Sequence, residues 1–194
     1  MLKISERMTG KLEGIDALNT DTTSNEFCKR MQKVKNTVCS QCYSMRMLKT
    51  FRKMCVPAFR HNSMMLGREL PDHALPYTTS KYFRMMAHGE VENMQQVENI
   101  MRIVQLNKQT FFAVWTKRKD LFGAWLARNK KPKNCNMVYS NPYIDMPCEL
   151  PRGFDKVFNV STADNEAVNC RGKCIECLLC YKRGGTTQVT EVLK

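Results

Sequence analysis

Four cysteines fall within eleven residues near the end of the chain: Cys170, Cys174, Cys177 and Cys180 in NCRGKCIECLLCYK. Gaps of three, two and two residues let successive sulfurs turn toward one centre, which is what zinc or an iron–sulfur cluster requires of its ligands. Cys39 and Cys42 in NTVCSQCY make a further Cys-x-x-Cys pair, with Cys28 eleven residues earlier. A lone pair of this kind suits a thiol redox couple, cycling through a disulfide without metal, or half of a zinc site. With Cys28 it supplies three ligands and leaves a fourth iron position open. Structural zinc usually arrives on two separated Cys-x-x-Cys knuckles, so iron–sulfur is favoured for the C-terminal run, with zinc as the alternative. Cys55 and Cys135 read as core thiols, and Cys148, beside Pro147, is left unassigned.

These residues need a scaffold, and the chain alternates in a way that supplies one. Residues 12–18 read as a short strand, and residues 19–42 as a polar loop carrying Cys28, Cys39 and Cys42. A helix follows from Tyr43, with Tyr43, Met47, Phe51 and Met54 or Cys55 on its apolar face, and stops before Pro57. After a connection at 67–80 come a strand at 82–87, a helix striped by Met94, Val97, Met101 and Val104, and a strand at 111–115. A helix carrying Leu121, Phe122, Trp125 and Leu126 and strands at 135–139 and 157–160 complete the series. Strand, polar turn, helix, strand predicts a parallel α/β sheet, and the almost wholly apolar strands predict cover on both faces. A closed eight-stranded barrel usually takes about 250 residues. The expectation is therefore a partial (β/α) barrel or open parallel sheet, residues 1–165, with a Cys-rich metal-binding extension, residues 166–194, packed on it.

In such sheets ligands sit at the carboxyl ends of the strands. That rim collects His88, Gly89 and Glu90, then Lys117 and Arg118, then Ser140 and Asn141, then Ser161 and Thr162. Of these, His88, Gly89, Glu90, Lys117, Ser140 and Asn141 are the predicted cofactor-binding residues. The plainer reading of His88-Gly89-Glu90 is a strand-to-helix turn, in which Gly supplies an unusual backbone angle and Glu complements the helix N-terminus. Lys117 and Arg118 suit a phosphate or carboxylate, or a solvated turn.

Composition narrows the class. The 194 residues are 43% hydrophobic and 25% charged, ordinary for a globular protein and unlike disorder. No apolar run approaches the roughly 20 residues needed to span a bilayer, and MLKISERMTGK lacks the apolar stretch of a secretory signal, so a cytoplasmic protein without a membrane partner is expected. Ten Cys in that compartment point to metal or redox chemistry rather than disulfides. A formal net charge of +13 favours a polyanionic partner such as nucleic acid, although metal-bound thiolates would offset part of it.

The blocks NTVCSQCYSMRML, YFRMMAHGEVEN, FFAVWTKR, NMVYSNP, FDKVFNV and NCRGKCIECLLCYK together resemble an uncharacterised cysteine-rich family encoded in bacteriophages and prophages, which implies the host cytoplasm. More loosely, the chain resembles radical S-adenosylmethionine (SAM) enzymes, which place a three-cysteine [4Fe–4S] loop after the first strand of a partial barrel and Gly-Gly-Glu after the second. The resemblance implies that Cys28, Cys39 and Cys42 hold the cluster whose open iron binds SAM, and that Gly89 and Glu90 contact the SAM amino group. It also implies a SAM-cleaving reaction fed by a reductant such as a flavodoxin or ferredoxin. The loop gaps here are ten and two residues rather than three and two, the aromatic Tyr43 follows the last cysteine, and His88 stands for the first glycine. Cys170-x-x-x-Cys174-x-x-Cys177 has the radical-enzyme spacing itself. Cys174-x-x-Cys177-x-x-Cys180 has ferredoxin spacing, with Tyr181 where proline would follow. The C-terminal run would then hold an auxiliary cluster. The alternative function is a non-catalytic, metal-stabilised module binding nucleic acid or a host protein.

Overall fold

A computed structural model describes residues 1–193. Its frame is a seven-stranded sheet in which spatial order follows chain order: β1 (Ile4–Ser5), β2 (Asp16–Leu18), β3 (Tyr82–Met85), β4 (Phe111–Thr116), β5 (Cys135–Ile144), β6 (Lys156–Ser161) and β7 (Gln188–Val192). β1 is antiparallel to β2, and every later neighbour is parallel. The sheet is open, an α/β architecture. Among the described residues, no helix is long and apolar enough to cross a membrane.

Parallel neighbours need crossovers. Between β2 and β3 run α1 (Glu26–Met31), α2 (Tyr43–Lys49) and α3 (Val56–Leu66); α4 (Met94–Leu106) joins β3 to β4, and α5 (Lys119–Leu126) joins β4 to β5. α4 forms where Val97, Ile100, Met101 and Val104 recur at helical spacing, and Asn93 caps it by accepting the Gln96 amide at 3.0 Å. Side chains alternate across a strand. Phe83, Met85, Phe112, Val114 and Met137 therefore face one way and form the main core with Leu66 of α3, Ile100 of α4 and Phe122 of α5.

The intervening positions, Ala17, Arg84, Ala113 and Asn136, lie side by side across four strands on the opposite face. That face is covered by the Cys-rich crossover between β6 and β7, whose one helical turn is α6 (Cys174–Cys177). Tyr181, Cys174 and Cys180 pack on Ile15 and Ala113, and Cys170 and Leu179 pack on Val138, Phe158 and Val189. Asn136 Nδ2 donates to Lys182 O at 2.8 Å, and the buried Lys156 ammonium donates to Gly184 O and Thr186 O at 3.0 and 2.8 Å. The cysteine segment is thus tied to the sheet at both β5 and β6.

Several expected elements differ. The helix from Tyr43 ends at Lys49, and its buried face is Ser44, Met45 and Leu48. Tyr43, Phe51 and Met54 are 52%, 75% and 89% exposed, so the expected apolar face lies largely in solvent. Pro57 opens α3 in its first turn, where its missing N–H costs nothing. The 19–42 loop contains α1, capped by Asn25, whose Oδ1 accepts the Cys28 amide at 2.9 Å. The first strand shrinks to Asp16–Leu18 behind a short 3-10 turn at Gly10–Leu12. β5 runs five residues past Tyr139, through Pro142, and the chain returns after the cysteines to add β7.

Candidate metal and cofactor site

The turns after β2 and β3 are stitched together. Thr20 N–H donates to His88 O at 3.1 Å, His88 N–H to Asn19 Oδ1 at 3.0 Å, and Gly89 N–H to Thr22 Oγ1 at 2.9 Å. Gly89 sits at φ +78°, and a Cβ there would collide with the hydroxyl and carbonyl oxygens of Thr20. Glycine is required here by backbone angle and by space alike.

Glu90 is buried, and both its oxygens are engaged. Oε1 accepts from Thr116 Oγ1 at 2.7 Å and from its neighbour Val91 N–H at 2.9 Å, and Oε2 accepts from Lys117 N–H at 2.6 Å. Burial pushes its carboxyl up, opposed by these donors and by the Lys117 charge. Asn25 Nδ2 donates to Glu90 O at 2.7 Å, fastening the start of α1 to the same turn. His88 points inward: Nδ1 meets Ser44 Oγ at 2.8 Å, and Ser44 Oγ meets Thr22 Oγ1 at 2.6 Å. Burial, helped by the charges of Arg52 and Arg84, brings the His88 imidazole down to about 4. It is neutral at physiological pH.

The segment before Cys39 is clipped onto the extended end of β5. Val38 N–H donates to Pro142 O at 2.9 Å and Ile144 N–H to Asn36 O at 3.2 Å, with Thr37 bridged to Tyr143. The chain leaving β2 thus reaches over to the extended end of β5, and Cys39 is buried beneath it. Burial pushes the Cys28 thiol up; Glu90, Cys42 and Cys39 add to that rise, and Lys117 opposes it. Cys39 is likewise raised by burial, with Lys117 opposing and Cys42 and Glu90 adding. The three cysteines therefore share one electrostatic neighbourhood with Glu90 and Lys117. Lys117 Nζ donates to Ser140 Oγ at 2.9 Å, bringing β5 into the same group.

Cys170, Cys174, Cys177 and Cys180 line one concavity, together with Leu178 and Tyr181. Leu178 adopts a left-handed conformation at φ +53°, which turns the chain after α6 and brings Cys180 back to that concavity. Such a conformation costs a non-glycine residue about 1 kcal/mol or more. Burial raises Cys170, Cys174 and Cys180, the last to about 12; Arg84 opposes it at Cys174 and Cys180, and Lys11 at Cys170. Lys11 Nζ donates to Cys170 O at 2.8 Å and pairs with Glu191 at 2.8 Å. Among the described residues, no three His, Cys, Asp or Glu side chains close around a single ion position.

The expected residues thus divide. Cys28 and Cys39 share Cys42, Glu90 and Lys117 as electrostatic neighbours near the carboxyl ends of the strands, where Lys117 reaches Ser140, and the four C-terminal cysteines line one concavity. His88 is turned into the protein, and Asn141 pins the loop after β5 by donating to Met146 O at 2.6 Å and Asn159 Oδ1 at 3.0 Å. Ser161 and Thr162 both donate to Asp145, holding their own loop. Arg84 and Lys11 are not singled out by the sequence, and Tyr181 enters there only as the residue in place of a proline. An arginine inside the otherwise apolar YFRMMA was the available signal for the first. The chain matches no protein-family profile, no curated protein and no solved structure.

Proposed function

We propose that this chain is an iron–sulfur protein of radical-SAM-like type and phage origin, working in the host cytoplasm. In this reading the sequentially ordered sheet is a partial (β/α) barrel, with one cluster at its mouth and a second metal centre on the concave face. The observation that carries the reading is the loop after β2, which spans to the end of β5 and brings Cys28 and Cys39 within the electrostatic reach of Cys42, Glu90 and Lys117. The donor set fits the group: three thiols serve three irons of a [4Fe–4S] cluster and leave the fourth free. A single ion needs all its ligands in one coordination sphere, whereas a cluster takes each thiolate on its own iron and tolerates wider spacing.

Bound and reduced, by a flavodoxin or ferredoxin, such a cluster would supply the electron that cleaves SAM. The chain's own part is positioning. Glu90 holds the turn of β4 against that of β3, and Gly89 lets the two loops approach. Lys117, fixed by Ser140, keeps a positive charge beside the thiols and offers it to a carboxylate. Clearing the thiol protons is part of loading, because burial favours the protonated forms of Cys28 and Cys39.

Protein purified without oxygen tests the reading. Iron and acid-labile sulfide near about four or eight per chain, with SAM consumed only under reduction, are expected. Zinc without sulfide, or iron without SAM cleavage, would overturn the enzyme. The net charge of +13 favours a second reading, a metal-stabilised module that binds nucleic acid. It predicts steeply salt-dependent DNA or RNA binding and indifference to SAM.

A further inference from the structure

Arg84 occupies the middle of β3 on the face covered by the cysteine crossover, and is only 7% exposed. Its guanidinium carbon lies 3.5 Å from the centroid of the Trp115 ring. Among the described residues no carboxylate pairs with it, and its Nε has no hydrogen-bond partner. Trp115 Nε1 is unpartnered too, and the Tyr181 hydroxyl, close to the guanidinium but outside good hydrogen-bond geometry, is neutral and supplies no counter-charge. A buried cation without a counter-ion is costly, and an aromatic face compensates only in part. Lys11, which donates to Cys170 O at 2.8 Å, has Glu191 as its partner. Arg84 has no such anion.

The neighbours that could become one are sulfurs. Cys174 and Cys180 pack against Ala113, the cross-strand neighbour of Arg84, and line one concavity with Cys170 and Cys177. As thiols these groups are neutral and leave the arginine uncompensated. As ligands they are thiolates, and four thiolates on a divalent ion carry a net charge of about −2. We infer that Arg84 is the buried counter-charge of a metal–thiolate centre formed by Cys170, Cys174, Cys177 and Cys180. The inference rests on the metal centre proposed for these cysteines and is independent of SAM chemistry. It makes Arg84 a positioning residue, absent from the coordination sphere yet required for its charge balance.

The test is a sign inversion. A chain carrying Cys28→Ala, Cys39→Ala and Cys42→Ala reports on the C-terminal centre alone, and Arg84→Met and Arg84→Lys are placed in it. Each protein is loaded with Zn²⁺ alone or with ferrous iron and sulfide, then melted with and without metal and challenged with a chelator. Without metal, Arg84→Met should melt higher than its parent, because an uncompensated buried charge has gone. With metal it should melt lower and hold metal about 10- to 100-fold more weakly. Arg84→Lys, which keeps the charge, should hold metal nearly as well as the parent. If Arg84→Met lowers the melting temperature equally in both states, Arg84 serves only to pack on Trp115 and the inference fails. Unchanged metal retention in Arg84→Met would also overturn it, while leaving the proposed function untouched. A parent that takes up no metal in either form would remove the centre and the inference together; a loaded parent whose full-length counterpart does not cleave SAM would remove only the enzyme.

Discussion

The backbone amide of Lys117 donates to Glu90 Oε2 at 2.6 Å, so the turn leaving β4 is fastened to the carboxylate of the turn leaving β3. Thr116 and Val91 occupy the other oxygen. A carboxylate facing only donors is poorly replaced by an amide, because one of its two positions becomes an N–H that opposes them. Glu90→Gln should therefore lose about 1–3 kcal/mol of stability. Urea unfolding of the metal-free chain reads this directly, and a variant as stable as the parent would show that the latch contributes nothing.

Acid should loosen the same region through His88. In the unfolded chain its imidazole titrates near 6.5, and in the folded chain burial holds it at about 4. Between those values the unfolded state binds the extra proton, so the contribution is fully present above pH 6.5 and is lost as pH falls toward 4. The expected loss across that window is about 3 kcal/mol. Glu90, whose carboxyl is raised, pulls the other way on acidification, so the informative quantity is the difference between parent and His88→Gln. Denaturation at pH 7 and pH 4.5 should show a flatter profile for the variant; parallel profiles would mean that His88 is not held neutral.

Gly89 sits where the two loops nearly touch. Gly89→Ala combines a left-handed backbone angle with a clash against the Thr20 backbone, which cannot rotate away as a side-chain tip would. The expected cost is about 2–4 kcal/mol, visible as a lower melting temperature. Gly123, where an added Cβ meets nothing within 4 Å, is the control, and Gly123→Ala should be neutral or stabilising because it improves helix propensity in α5. Equal effects at the two positions would argue against crowding at the rim.

What could be read from the sequence follows from which forces are local. α4 was legible because Val97, Ile100, Met101 and Val104 recur at helical spacing over a long helix, and β4 and β6 because their apolar runs are bounded by polar turns. α2 misled because apolar count pointed to Tyr43, Met47 and Phe51, while the inward face carries Ser44, which is bonded to His88. β7 escaped because its pairing with β6 is long-range and the preceding cysteines suggested an appendage. The gathering of polar groups at the strand ends was foreseeable from topology. That Glu90 would be held by an amide 27 residues away, or that Arg84 would stack on Trp115 on the face the cysteine segment covers, depends on register and was not.

Lys117 links the rim to the thiols, and its charge can be tested without any metal. Burial holds the Cys28 and Cys39 thiols protonated, and Lys117 is the charge that works against burial at both. Lys117→Met removes that charge and keeps much of the side-chain volume, so both thiols should ionise less readily. Since the thiolate is the reactive form, alkylation of the metal-free chain at pH 8.5 should slow by about threefold or more at these two cysteines, the effect of half a pKa unit. Cys135, buried in β5 where Asp155, Lys131 and Arg183 are its charged neighbours, should be unaffected and serves as the internal reference in peptide mapping. Equal slowing at Cys135 would indicate a general tightening of the fold, and faster alkylation at Cys39 would indicate that losing the Ser140 contact opens the loop. Either outcome would remove Lys117 as the charge that prepares these thiols for ligation.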